Sequence, residues 1–251
     1  MAGEQTTALV LRTVEFSETS LVVTLLSKEF GRLSTLAKGA RRPKGPFEGS
    51  LDLLCVCRVV VIRKNTESLD LLTEAKLIRR FRAGTRSLER LYAGYYLAEM
   101  LRLLLTDDRD PHPKVYDLAL QALDKIDGDG KLEPTLLYFD VQLLRLLGHA
   151  PSTDKCIECG NRVIPTNRVS FALLGGGVVC DLCRQRQVQT VSITRNSLET
   201  LKLLHDSEST NAIEISPAVY GELRAVLNRY ITLMLGKMPR MQSFLPAAIN
   251  T

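Results

Sequence analysis

The hydrophobic period of this sequence changes once, and that change divides the chain. Before Arg80 the apolar and β-branched residues fall into five runs: Thr6–Phe16, Ser20–Leu26, Gly31–Lys38, Leu51–Lys64 and Leu69–Ala75. Ser17-Glu18-Thr19, Phe30-Gly31 and the polar stretch Asn65–Ser68 supply connections short enough for hairpins. Five strands within about 75 residues predict a small closed or partly open barrel, most economically an OB-fold. Strand count alone leaves an SH3-like barrel open. Leu51–Lys64 reads as one long strand, bent or bulged, on which Cys55 and Cys57 share the core-facing side by the period of two.

Beyond Arg80 the period becomes 3.6. Thr85–Leu105 offers Leu88, Leu91, Tyr92, Tyr95, Met100 and Leu104 to one face, and Val115–Ile126 follows the i, i+3, i+4, i+7 spacing. Glu133–Leu147 starts near Pro134, stops at Gly148 and is apolar almost all round, as expected of the buried centre of a helical domain. Asn196–His205 is a shorter helix; Ser216-Pro217 caps a long one that runs to Leu235, with Gly236 at its stop. The expected class is α+β. An OB-fold domain over 1–80 precedes a helical domain over 81–251, which is interrupted at 153–190.

The interruption holds Cys156-Ile-Glu-Cys159 and Cys180-Asp-Leu-Cys183, a CxxC-x20-CxxC pattern. Each pair can bend two thiolates toward one point, and two pairs complete a tetrahedron around Zn2+. Gly160 and Gly175–Gly177 supply the tight turns of a zinc ribbon. A redox CxxC needs no second pair, and iron–sulfur sites use other spacings. One structural zinc is expected, with no open position for catalysis. An insert with few apolar side chains is expected to depend on its metal for shape.

Charge is placed unevenly. Residues 1–80 hold 13 Lys and Arg against 9 Asp and Glu, residues 81–152 hold 9 against 11, and residues 153–251 hold 11 against 8. The densest cationic stretch is Gly31–Gly45, with Arg32, Lys38, Arg41, Arg42 and Lys44 and no acidic residue between Glu29 and Glu48. Its first half alternates like a strand; Gly39 and the Pro43, Gly45, Pro46 cluster then turn it into an exposed, flexible loop. Such a loop suits a polyanion, whose phosphates need donors that reach a backbone. The alternative is a solvated loop that is merely basic. Trp is absent, so bases could stack only on Tyr, Phe or His; Phe16, Phe30 and Phe47 lie nearest but read as core.

Enzyme templates fail. There is no GxxxxGK[ST], GxGxxG or HExxH. His112, His149 and His205 stand far apart near helix ends. Asp107, Asp108 and Asp110 read as a solvated turn, and Asp127-Gly-Asp129-Gly as a turn rather than a calcium loop. No apolar run reaches the ~20 residues of a bilayer span, and MAGEQTTALV lacks the layout of a secretory signal. The expectation is a cytoplasmic protein without disulfides.

The order of segments resembles the bacterial RecO family of recombination mediators. The residues that carry the likeness are ALVLRTVEFSETSLVVTLLSKEFGRLSTLAKGARRPKG, LTEAKLI, LYAGYYLAEML, and LLYFDVQLLRLLGHAP leading into the cysteines. The resemblance implies a non-enzymatic DNA repair protein, cytoplasmic and nucleoid-associated. It would bind single- and double-stranded DNA, anneal complementary strands and, with RecR, load recombinase onto DNA covered by single-strand-binding protein. The acidic C-terminal tail of that protein would be gripped by an arginine-bearing pocket, for which Arg102, Arg145, Arg224 and Arg229 are unranked candidates; contact with RecF is left open. Phosphate contacts are expected from Arg32, Lys38, Arg41, Arg42 and Lys44, with Arg12, Arg63 and Lys64 as further members, and zinc ligation from Cys156, Cys159, Cys180 and Cys183. The competing reading is a zinc-ribbon scaffold for proteins with an incidental basic loop.

Overall fold

A β-rich N-terminus this short can bury its apolar face only by curling its sheet on itself. The computed structural model describes residues 3–43, 45–47, 49–64, 68–105, 110–208 and 213–245. Strand β1 (Glu4–Glu15) pairs antiparallel with β2 (Leu21–Ser27) on one edge and with β4 (Val56–Ile62) on the other. Strand β3 (Gly31–Ala37) continues from β2, and β5 (Asp70–Arg79) closes the ring, antiparallel to β4 and parallel to β3. The closed order β1-β2-β3-β5-β4 is the five-stranded OB-fold barrel. Alternation sends Val10, Val23, Leu25, Leu33, Ala37, Cys57, Val59 and Leu72 inward, with Cys55 at the same core.

Two expectations change. Leu51–Lys64 is not one strand: β4 begins only at Val56, because Leu54 takes a left-handed φ of 65°. The turned segment instead lays Leu54 and Cys55 against β1, with Leu54 N–H donating to Val10 O and Val10 N–H to Cys55 O, both at 2.9 Å. This contact sits where the β1–β2 register slips between Val10 and Arg12. The basic connection after β3 is also not a free loop. Phe47 (3% exposed) and Leu51 (7%) plug the barrel end, and Ser50 bonds the Phe47 carbonyl through its Oγ at 2.9 Å. Burying a Phe stabilises by roughly 1.5–3 kcal/mol, enough to hold both ends of such a turn.

By contacts the chain divides into two compact units, 1–127 and 128–251. The first therefore contains two helices besides the barrel: α1 (Leu88–Leu104), capped by Ser87 Oγ accepting from Arg90 N, and α2 (Pro113–Asp127). Asp127 closes this unit, its carboxylate accepting from the N–H groups of Arg82 and Ala83 at 2.7 and 2.6 Å. Gly31 is fixed by its surroundings: φ is +67°, and the backbone oxygen of Asp110 lies where a Cβ would stand.

In the second unit α3 (Leu132–Leu146) is buried on nearly every side. A three-stranded sheet of β6 (Arg168–Ala172), β7 (Gly177–Val179) and β8 (Thr190–Thr194) follows, in the order β7-β6-β8, with the short α4 (Asp181–Arg184) before β8. Helices α5 (Arg195–Asp206) and α6 (Pro217–Leu235) complete it, and α6 is bounded by the expected Ser216 cap and Gly236 at φ 67°. Arg224 on α6 meets Asp140 on α3 at 2.5 Å, with side chains 6% and 0% exposed. Phe171 and Val178 within the insert, and Ile193 just beyond it, are each 0% exposed and give the sheet an apolar side. No helix among the described residues is long and apolar enough to cross a membrane.

Candidate nucleic-acid interface and metal centre

The barrel distributes the described candidate cations into separate groups. Lys38 is exposed at the end of β3, and Arg41 and Arg42 are exposed in the turn beyond it. That turn is tied to the β1–β2 turn: Arg41 N–H donates to Thr19 O at 3.0 Å, and the Arg41 guanidinium lies 3.0 Å from Glu15. Arg42 N–H closes the turn onto Gly39 O at 3.0 Å. Lys44 lies outside the described residues. Arg12 stands exposed on the outer face of β1, beside Thr24 of β2 and Ser34 of β3.

The other cations lie elsewhere. Arg32 is half-buried, and its Nη1 donates to the main-chain oxygen of Arg102, in the last turn of α1, at 3.1 Å. A guanidinium there also complements the negative end of the helix dipole. Arg63 and Lys64 follow β4 at the opposite end of β1: Arg63 pairs with Glu4 at 3.7 Å and covers the Phe30 ring at 5.2 Å. Lys38, Arg41 and Arg42 thus form one group, and Arg63 and Lys64 another. Of the three phenylalanines that read as core, Phe47 is buried, Phe30 half-buried and Phe16 63% exposed. Phe16 directly follows β1 and still donates its N–H to Ser20 O at 3.0 Å, so its place on the outward side of the hairpin leaves the ring exposed.

The four cysteines of the insert converge. Their Sγ atoms all lie within 4.8 Å of one another, and Cys159 and Cys180 are 3.9 Å apart. Tetrahedral thiolates at about 2.3 Å from one ion are separated by roughly 3.8 Å, so the cluster fits a single metal with only slight closure. The first knuckle is shaped by Gly160 N–H on Cys156 O at 2.9 Å and Cys156 N–H on Asn161 O at 2.8 Å; the second by Cys183 N–H on Cys180 O at 3.1 Å. Burial opposes ionisation of Cys156, yet the N–H groups of Cys159, Cys180 and Glu158 bring its thiol down to about 6. Cys183 is pushed up to about 12, first by its hydrogen bond with Cys180 and then by burial and the neighbouring sulfurs. A cation held by the four sulfurs would remove this conflict, since a coordinating thiol is deprotonated outright.

Remaining candidates resolve by position. Arg224 is locked on Asp140, and Arg145 Nε donates to Gln142 at 2.8 Å. Arg229 is exposed on α6 and lines a cleft of about 720 Å3 between β8, α6 and the 3-10 turn Arg240–Phe244. Leu173, Val191, Leu233 and Met238 make its walls apolar. Gln242, 7% exposed, lines the same cleft, and its Nε2 has no hydrogen-bond partner among the described residues. Sequence reasoning missed this cleft, because its walls come from segments that are distant in the chain.

Fold and site together define a class: an OB-fold barrel followed by a helical unit with a four-cysteine insert. The family profile described as Recombination protein O N terminal matches residues 1–81, and that described as Recombination protein O C terminal matches 85–243. The chain is 50% identical to DNA repair protein RecO of Rhodopirellula baltica, over 97% of this chain and 99% of the relative. It is 30% identical to DNA repair protein RecO of Myxococcus xanthus over 95% of each chain, and 29% identical to that of Symbiobacterium thermophilum over 98% and 97%. The chain belongs to the RecO family, and its role lies in DNA repair.

Proposed function

We propose that this protein is a non-enzymatic, cytoplasmic recombination mediator. It binds single- and double-stranded DNA, anneals complementary strands and, with RecR, helps to load recombinase onto DNA coated by single-strand-binding protein. The barrel serves as the nucleic-acid domain and residues 81–251 as the helical domain. The observation that carries this reading is the group Lys38, Arg41 and Arg42, exposed on a connection that Phe47 anchors to the barrel. An anchored cationic turn presents charge to a sugar-phosphate chain at low ordering cost. The Glu15–Arg41 pair is a surface pair of small worth, and a phosphate can displace the carboxylate. Lys44 and Arg12 extend the contact; Arg32, Arg63 and Lys64 join it only where DNA passes the other end of β1.

In the same reading the four thiolates hold one structural Zn2+, which supplies a fixed cross-link between the knuckles. The acidic tail of single-strand-binding protein, which ends in an apolar residue and a carboxylate, enters the cleft of the second unit. Its apolar side chain meets Leu233 and Met238, and Arg229 faces its carboxylate. RecF is a further partner compatible with this role.

Binding to a single-stranded oligonucleotide across a salt series tests the reading. Five neutralised phosphates give a log–log slope of about −3.5, and Arg41→Ala with Arg42→Ala flattens it by about 1.4, at roughly 0.7 per phosphate. An unchanged slope rejects the assignment. Failure to anneal strands coated by single-strand-binding protein, with partner binding intact, selects the protein-scaffold reading instead.

A further inference from the structure

The sheet of the second unit leaves one stretch of backbone edge open, and that stretch forms a wall of the cleft. β8 lies at one edge of the order β7-β6-β8. Two bonds fix which of its backbone groups face inward: Leu173 N–H donates to Gln189 O at 2.9 Å, and Arg195 N–H donates to Asn167 O at 3.0 Å. Antiparallel alternation between them turns the main-chain groups of Val191 and Ile193 toward β6, and those of Thr190, Ser192 and Thr194 away from it. Beyond Thr190 the outward side is occupied. Arg168 Nη2 donates to Ser192 O at 2.6 Å and pairs with Glu222 at 2.9 Å, and Glu222 Oε2 accepts from Thr194 N–H at 2.8 Å. The opposite edge is covered as well: β7 meets the chain at Ser152, with Val178 N–H donating to Ser152 O at 2.9 Å.

Thr190 is left with its N–H and C=O turned outward and no partner for them among the described residues, and both Thr190 and Val191 line the cleft. Open backbone groups on an edge strand are a template for another strand. Gln242 adds a donor: its Oε1 accepts from Thr232 Oγ1 at 3.4 Å, and its buried Nε2 is the unpartnered atom described above. Among the described residues the lining holds one cation, Arg229, and no carboxylate; Val188 (87% exposed) and Met238 (61%) offer apolar side chains to an occupant. A wall with a main-chain donor and acceptor, an amide donor and a cation suits an extended peptide with a negative end. A nucleic acid has no backbone N–H to give to Thr190 O.

We infer that the cleft holds its peptide as a fourth strand, in the order β7-β6-β8-peptide. Thr190 gives its N–H to the peptide main chain and accepts from it, an oxygen of the peptide takes the Gln242 amide, and alternate side chains lie over the apolar lining. This rests on the peptide-tail reading above and adds to it the mode of recognition. Main-chain pairing asks for an extended backbone, while the apolar lining reads every second side chain. Arg168 and Glu222 limit the paired stretch, because they close the edge from Ser192 O onward.

The test uses the full chain and a labelled acidic peptide that ends in an apolar residue and a free carboxylate, read by anisotropy and by amide hydrogen exchange. At peptide saturation the Thr190 amide exchanges about tenfold more slowly, while that of Val191, whose N–H already faces β6, is unchanged. Methylating the peptide's main-chain nitrogens one at a time weakens binding about tenfold at one position and less than about twofold at its neighbours, as loss of a single backbone bond requires. Gln242→Met, which keeps the length of the side chain, weakens binding about fivefold without lowering the thermal midpoint, since the Nε2 it removes is unpartnered among the described residues. Binding with Thr190 exchange unchanged, or a methylation series without one sensitive position, overturns the fourth strand and leaves the peptide-tail reading standing. Equal affinity for Gln242→Met and wild type overturns the part given to that amide. No binding of the peptide, or binding that Arg229→Glu does not weaken, overturns the peptide-tail reading itself.

Discussion

Arg32 Nη1 donates to the main-chain oxygen of Arg102 at 3.1 Å, so the first cation of the basic stretch also ends a helix. The bond ties β3 to the last turn of α1 and occupies one of the carbonyls that a helix terminus leaves open. Arg32 is therefore a residue of the fold, whatever else it contacts.

Arg32→Ala is accordingly expected to lower stability by about 1.5–3 kcal/mol, the usual range for a hydrogen bond to a charged group. Arg41→Ala, which loses only a surface pair, should cost about 0–1 kcal/mol. Urea unfolding of the two variants distinguishes them; equal midpoints would mean that the Arg102 contact contributes nothing.

Burial pushes the Cys57 thiol up to about 12 from its ordinary 9.0, with the nearby Cys55 and Asp52 adding to it. The fold holds this thiol neutral, so its contribution is fully present below pH 9 and is lost as pH rises toward 12. Tyr116, raised to about 12 mainly by burial, acts in the same direction. Thermal midpoints should fall from pH 9 upward, and Cys57→Ala should make that fall shallower.

Fresh protein is expected to carry one equivalent of zinc. After chelation, Cys156, Cys159, Cys180 and Cys183 should react with a thiol reagent at pH 8, while Cys55 and Cys57, buried in the barrel, stay protected. The sheet of β6–β8 should survive, because burial of the Phe171, Val178 and Ile193 side chains stabilises it apart from any metal ligation. Less than about half an equivalent of zinc would count against the site, and loss of the sheet's amide protection against its metal-independent packing.

Arg229→Glu should weaken binding of a labelled acidic peptide that ends in an apolar residue and a free carboxylate by at least tenfold, about 1.4 kcal/mol. Arg145→Glu, whose partner is Gln142, should leave it within twofold. Anisotropy titration reads both, and the reverse order would move the peptide out of the cleft.

Local rules made much of this molecule legible in one dimension. Period-two runs marked the barrel strands, Ser216 and Gly236 marked the ends of α6, and the spacing of four cysteines marked their convergence, since each signal involves neighbours within a few residues. Other features depend on which segments meet. Leu54 turns left-handed where its N–H meets Val10 O, Phe47 is buried because its segment folds back onto the barrel core, and Phe16 is bare because it lies on the outward side of the β1–β2 hairpin. The cleft around Gln242 likewise exists only once β8 and α6 stand side by side. Burial is a property of the packed whole; a side chain's own chemistry sets what burial costs and cannot say whether it occurs.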